Sequence, residues 1–172
     1  MATGWQFNEL YLWHDTLSFN QFFRPGLRIQ PGEHAEHPET KRRFRNLLDV
    51  TGLLDQLVPV RAAPATDAAL RRFHTQTYLD ELAAMSDANG GEIGASTPMG
   101  PGSFDIARLA AGGGIASVDA VLDGVVRNAY ALLRPPGNHA LSDQAMGFCL
   151  LGNAALAVSS RGRGKAYVGE MT

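Results

Sequence analysis

The junction at Leu133 constrains this chain more than any other feature. Asn128–Leu133, NAYALL, is a short apolar run that Arg134-Pro135-Pro136-Gly137 stops abruptly. A run of that length between turn residues predicts a buried strand. Proline fixes φ and offers no amide donor, so the chain leaves the strand in a set direction. Helical patterns alternate with the apolar runs along the chain, which predicts an α/β fold with a mostly parallel sheet. In such sheets the loops after the strand C-termini build the site. The loop after Leu133 is therefore where chemistry is expected.

The other elements follow from local signals. Trp5 to Phe7 predicts a short first strand. Ser18–Pro38 holds Pro25, Gly26, Pro31, Gly32 and Pro38, and reads as a long loop. A helix is expected from Glu39 to near Leu57, with Phe44, Leu47 and Leu48 on one face. Leu57 to Ala62 reads as a short strand. Thr66 caps a turn of helix before Ala68, Leu70 and Phe73. Thr77 to Ser86 is another helix, and Asp87 to Gly102 is a Gly-, Ser- and Pro-rich loop. Ser103 is expected to cap a long helix that Gly112, Gly113 and Gly114 interrupt. Three glycines there cost about 3 kcal/mol relative to alanine, which close packing or a kink would justify. Asn153–Val158 begins a last helix.

Composition narrows the function classes. With 15 Lys+Arg against 17 Asp+Glu, the net charge is −2, which excludes a strongly basic nucleic-acid binder. Arg161-Gly162-Arg163-Gly164-Lys165 adds too few charges to change that. Hydrophobic residues at 45 % and charged residues at 19 % exclude disorder by composition. No apolar run reaches the roughly 18 residues of a membrane span. One cysteine and no basic-then-apolar leader point to a cytoplasmic protein in a reducing compartment.

Three separated segments carry a family resemblance. Arg134 to Asn153 reads RPPGNHALSDQAMGFCLLGN; His37-Pro38-Glu39-Thr40-Lys41-Arg42-Arg43-Phe44 precedes it, and Gly100-Pro101-Gly102-Ser103-Phe104-Asp105 lies between. Together, in this order, they resemble the histone deacetylase and acetylpolyamine amidohydrolase family, nearest its bacterial class II-like members. The resemblance runs from the N-terminus to about Ala157. It implies an α/β fold, the N-terminal part of the arginase-deacetylase fold, with a parallel sheet flanked by helices, truncated here. Residues 1–158 form that portion and 159–172 an unmatched polar tail. It also implies a zinc-dependent amidohydrolase acting on acetyl-lysine or acetylated polyamines. His139 aligns with the expected general base. Gly137, Gly147 and Phe148 align with the substrate tunnel, where Phe148 flanks the substrate methylenes and Gly147 admits the backbone.

The chain also departs from the family pattern. Asn138 stands where the first histidine of a pair is usual, and an amide neither takes up nor releases a proton near neutral pH. A positioned acid or base contributes roughly 10²–10⁴ in rate, so this is a handicap. Ala95 stands where a rim loop carries a substrate-gripping aspartate, with Glu92 and Asp87 as nearby substitutes. Leu151 and Gly152 replace a Phe and an Asn. No Asp-x-His spacing occurs in the 172 residues. Zinc is thus expected for the family and not for this chain, which is expected to be weak or inactive. Two other readings stand beside that one: a non-catalytic interaction module paired with a complementary chain or a second copy, or an incomplete chain of an active enzyme. His34 and His37, His14 and His74 are read as solvated loop residues rather than metal ligands, and Cys149 as a buried small apolar residue.

Overall fold

The computed structural model describes residues 2–17 and 33–160. Most of the loop expected over Ser18–Pro38, and the tail from Arg161 onward, lie outside the described residues.

β1 (Thr3–Gln6) forms the middle of a three-stranded parallel sheet and is followed by a 3-10 turn at Glu9–Trp13. α1 (Glu39–Val50) comes next, then a second 3-10 turn at Leu54–Gln56 and the outer strand β2 (Val58–Pro59). The expected helix to Leu57 therefore stops early. Gly52 takes φ +68°, a left-handed conformation that ends helices. The strand expected over Leu57–Ala62 shrinks to two residues, extended by one bond from Val60 N–H to Trp5 O at 2.7 Å.

α2 (Asp67–Leu70) starts at Thr66, whose hydroxyl accepts from Ala69 N–H, as its sequence indicated. α3 (Gln76–Asp87) is capped in the same way by Thr75. The segment expected as a plain loop, Asp87–Gly102, contains three two-residue strands. β3 (Gly91–Glu92) and β5 (Pro98–Met99) pair antiparallel, while β4 (Gly94–Ala95) runs parallel to β7 (Ala145–Met146).

α4 (Ser103–Leu122) is unbroken. Its N-cap is Gly102 at φ +75°, and the side chain that caps its first turn is Ser86 of α3, whose Oγ accepts from Phe104 N–H at 3.1 Å. The cap expected at Ser103 is corrected, since that hydroxyl bonds His14 Nδ1 instead, at 2.9 Å. The glycine run does not interrupt α4 because packing uses it. A Cβ on Gly112 would collide with the Ala63 carbonyl, and one on Gly113 would lie 2.5 Å from Tyr11 Oη and 2.6 Å from Gln6 Oε1. Gly114 has only ordinary contacts, the nearest being Asn153 O at 3.5 Å.

β6 (Asn128–Ala131) pairs with β1 in the register Trp5↔Tyr130, giving the order β2-β1-β6. The expected buried strand Asn128–Leu133 is thus shorter, and it is half-buried to exposed. The reason is position: β6 is the edge of the sheet among the described residues. On one face the rings of Phe44, Tyr130, Trp5 and Phe7 stack in a row, at centroid spacings of 5.4, 5.8 and 6.2 Å. That row is how α1 seats itself. Phe44 and Leu48 are half-buried, whereas Leu47, expected on the same face, is 57 % exposed. α4 covers the other face and packs on α5 (Asn153–Ser159). Leu70, Leu82, Met99, Ala107, Leu150 and Leu156 form the core between α2, α3, α4 and α5. No helix among the described residues is long and apolar enough to cross a membrane.

The two glycines make opposite predictions. Gly113→Ala is expected to destabilise by about 1–3 kcal/mol through overpacking. Gly114→Ala is expected to be neutral or to stabilise by up to about 1 kcal/mol, because a helical glycine is replaced without a clash. Denaturant unfolding of both variants checks this; equal effects would contradict it.

Candidate active site

The site is built outward from the end of β6. Arg134 is fully buried. A guanidinium stays charged and carries five N–H donors, so burying it demands acceptors. Its Nε faces Glu36 Oε2 at 2.9 Å. Nη1 donates to the carbonyls of Tyr11 and His14, at 3.3 and 2.5 Å, and Nη2 donates to Glu36 O at 3.1 Å. Lys41 holds the other Glu36 oxygen at 3.3 Å. Burial lowers the Arg134 pKa and Glu36 opposes that shift.

The Pro135-Pro136-Gly137 turn is then bolted to α5. Asn153 Nδ2 donates to Pro135 O at 3.2 Å, and Ala154 N–H to Gly137 O at 3.1 Å. A Cβ on Gly137 would collide with the Asn153 side chain. Asn138 and His139 emerge exposed from this turn. The His139 N–H donates to Cys149 Sγ at 3.4 Å, and that thiol donates to Asn138 Oδ1 at 3.3 Å. Cys149 is buried, as expected, but it also serves these polar contacts.

Gly147 and Phe148 close the ring. Both have positive φ, +55° and +69°. For phenylalanine that conformation costs of order 1–3 kcal/mol, and such residues cluster at functional sites. A Cβ on Gly147 would lie 2.8 Å from the His139 ring, so only glycine lets that imidazole come this close to the backbone. Gly147 N–H donates to Ala95 O at 3.2 Å, which sets the exposed Ala95 beside the Gly-Phe pair. Asp87 is exposed at the end of α3, and Glu92 is half-buried in β3. The structure thus gathers Gly137, Asn138, His139, Gly147 and Phe148 into one loop cluster.

Three histidines read as solvated are corrected. His14, His34 and His74 are 3, 2 and 3 % exposed. Burial, with the Arg134 charge next, pushes His14 down to about 3. His34 accepts from Glu36 N–H at Nδ1 (3.1 Å) and meets the Phe148 ring edge-to-face at 4.9 Å; burial lowers it too. His74, lowered by burial, bonds Ser142 O and Gly152 N–H. His37, read in the same way, is the one of the four that reaches solvent, partly exposed with Glu33 at 3.9 Å. No local sequence signal marks His34 or Glu36 as buried; Glu36 is held inside because the buried Arg134 meets its carboxylate at 2.9 Å.

Among the described residues the donor set does not fit a zinc ion: no three His, Cys, Asp or Glu side chains converge.

Residues 34–167 match the model of the histone deacetylase domain. The chain belongs to the histone deacetylase family. A histone deacetylase-like amidohydrolase of Pseudomonas aeruginosa is 50 % identical over 161 residues, 92 % of this chain and 42 % of that protein. The human polyamine deacetylase HDAC10 is 36 % identical over 140 residues, 75 % of this chain and 20 % of that protein. The crystal structure of the HDA15 HD domain superposes with a TM-score of 0.82 at 31 % identity, covering 95 % of this chain and 44 % of that one. The chain therefore spans less than half the length of these relatives, and its architecture, a parallel sheet flanked by helices, is that of the deacetylase domain.

The buried histidines set a pH dependence of stability. In the unfolded chain each takes a proton at its ordinary value of about 6.5. In the folded chain burial keeps it neutral to lower pH. Stability is thus full above pH 6.5 and falls as pH drops below it, by about 1.4 kcal/mol per pH unit for each histidine until its folded pKa is reached. Denaturant midpoints at about pH 7.5 and about pH 5.5 check the sign; an unchanged or higher midpoint in acid would contradict it.

Proposed function

We propose that this chain carries the base-and-wall portion of an acetyl-amide hydrolase site, for acetyl-lysine or acetylated polyamines. The observation that carries the reading is the His139–Gly147–Phe148 cluster: an exposed imidazole packed close against a glycine, beside a strained aromatic. Two relatives carry related classes in their names, one as a histone deacetylase-like amidohydrolase and one as a polyamine deacetylase. In this reading Phe148 lines the channel against the substrate's methylenes, and Gly137 and Gly147 let the backbone approach. His139 accepts the proton of the attacking water. In the family, zinc supplies polarisation of the acetyl carbonyl, and the residues described here supply no ligand set for it.

Two features support weak or absent activity in the chain by itself. Asn138 accepts a hydrogen bond from Cys149 and cannot exchange a proton. The described residues also hold no three-ligand cluster. One observation favours an assembly role as a second reading: β6 is a half-buried sheet edge with its aromatic face continuing to Tyr130. A complementary chain or a second copy would cover it, and sizing at several concentrations reads that out.

The test uses the purified, isotopically labelled chain. Titration with Nε-acetyl-lysine amide and N-acetylputrescine is expected to shift the resonances of His139, Gly147 and Phe148, while the unacetylated amines do not. Acetate release with added zinc is expected to stay at the level of His139→Ala. Equal shifts with unacetylated amines would overturn the substrate reading, and zinc-dependent turnover well above that variant would overturn the inactivity.

A further inference from the structure

His74 makes two hydrogen bonds behind the His139 loop. Its Nε2 accepts from Gly152 N–H at 3.0 Å, at the N-cap of α5. A nitrogen that accepts carries no proton, so the proton of the neutral ring sits on Nδ1. Nδ1–H then donates to Ser142 O at 3.2 Å. The same carbonyl takes Thr75 N–H at 2.9 Å. Ser142 follows His139 in the loop, and Gly152 follows Phe148. One imidazole therefore fastens the segment containing Gly147 and Phe148 at both ends. His139, just ahead of the first fastening, rests its ring on Gly147.

The surroundings keep His74 neutral. Tyr78 of α3 faces it, with its ring 5.3 Å away and its phenol pushed up by burial. The Tyr78 hydroxyl is occupied by Leu150 O at 2.6 Å. Phe73 packs edge-on against the imidazole at 4.8 Å. It also fills the space over Gly152, where a Cβ would lie 2.7 Å from its ring. Arg72 and Asp143, the charged residues flanking the two contacting segments, are exposed.

We propose that His74 is a positioning residue of the acetyl-amide site: its neutral imidazole holds the loop between Ser142 and Gly152 in the shape that aligns His139 with Phe148. This rests on the roles proposed above for His139 and Phe148. It also makes the alignment pH-dependent, because a protonated ring cannot accept from Gly152 N–H.

The test compares wild type, His74→Phe and His74→Asn by nuclear magnetic resonance. His74→Phe keeps an aromatic and loses both bonds; His74→Asn keeps a donor for Ser142 O. Wild type should show an unprotonated Nε2 and a protonated Nδ1 on His74. In His74→Phe the His139 and Phe148 resonances should shift and Gly152 N–H should exchange faster, with α4 amides unchanged. Affinity for Nε-acetyl-lysine amide should drop about tenfold, the loss expected for two hydrogen bonds, and His74→Asn should recover part of it. Wild-type affinity should fall as His74 titrates, and that acid loss should vanish in His74→Phe. Unmoved His139 and Phe148 resonances in His74→Phe would overturn the proposal. So would global unfolding of both variants, which would make His74 a core residue only. If wild type binds no acetylated amine, the substrate reading fails, while the resonance shifts still decide the role of His74.

Discussion

A guanidinium that cannot lose its charge lies at zero exposure in this chain, and much of the site follows from its needs. Arg134 closes the end of β6. Its acceptors come from the 3-10 turn after β1 and from the segment that leads into α1. Satisfying it therefore draws three distant stretches of chain together. Glu36 is buried for the same reason, and Lys41 in the first turn of α1 holds its second oxygen. Removing one partner of such a pair leaves an uncompensated buried charge, which is why the arrangement is all-or-none.

From that anchor the Pro-Pro-Gly turn has one course. α5 fixes it on the far side through Asn153 and Ala154, and Cys149 closes the loop behind Asn138 and His139. The site residues are held by backbone bonds, close glycine contacts and neutral imidazoles. His14, His34 and His74 each sit in burial that penalises a positive charge, two of them also near the Arg134 cation. Uncharged, they serve as hydrogen-bonding spacers: His34 behind Phe148, His74 behind the loop and His14 on Ser103 at the head of α4. The positive φ of Phe148 persists because these contacts over-determine it.

Local chemistry in the sequence was legible and long-range chemistry was not. The Thr66 cap, the Arg-Pro-Pro-Gly stop and the parallel α/β class were readable from neighbours in the chain. The glycine run in α4 was visible, but its reason lay in Tyr11 and Gln6, about a hundred positions away. Leu57 was too late an end for α1 because Gly52 adopts a left-handed turn that apolar spacing does not encode. β6 looked buried because its residues are apolar, whereas burial depends on what pairs with its outer side. The histidines were misread for the same reason. The partner of His14 is 89 residues away and one partner of His74 is 78 away, so no local pattern marks either as buried. The Arg134–Asn153 motif, by contrast, folds on itself just after β6, where Asn138, His139 and Gly147 meet Cys149.

The central claim is that the Arg134–Glu36 pair organises the site, and a double-mutant cycle tests it most directly. Denaturant unfolding of Arg134→Met, Glu36→Met and the double variant gives the coupling. Each single change should cost about 3–5 kcal/mol, and the double variant should be no worse than either single one, because no buried charge is left alone. Additive losses, or single variants within about 0.5 kcal/mol of wild type, would contradict the account.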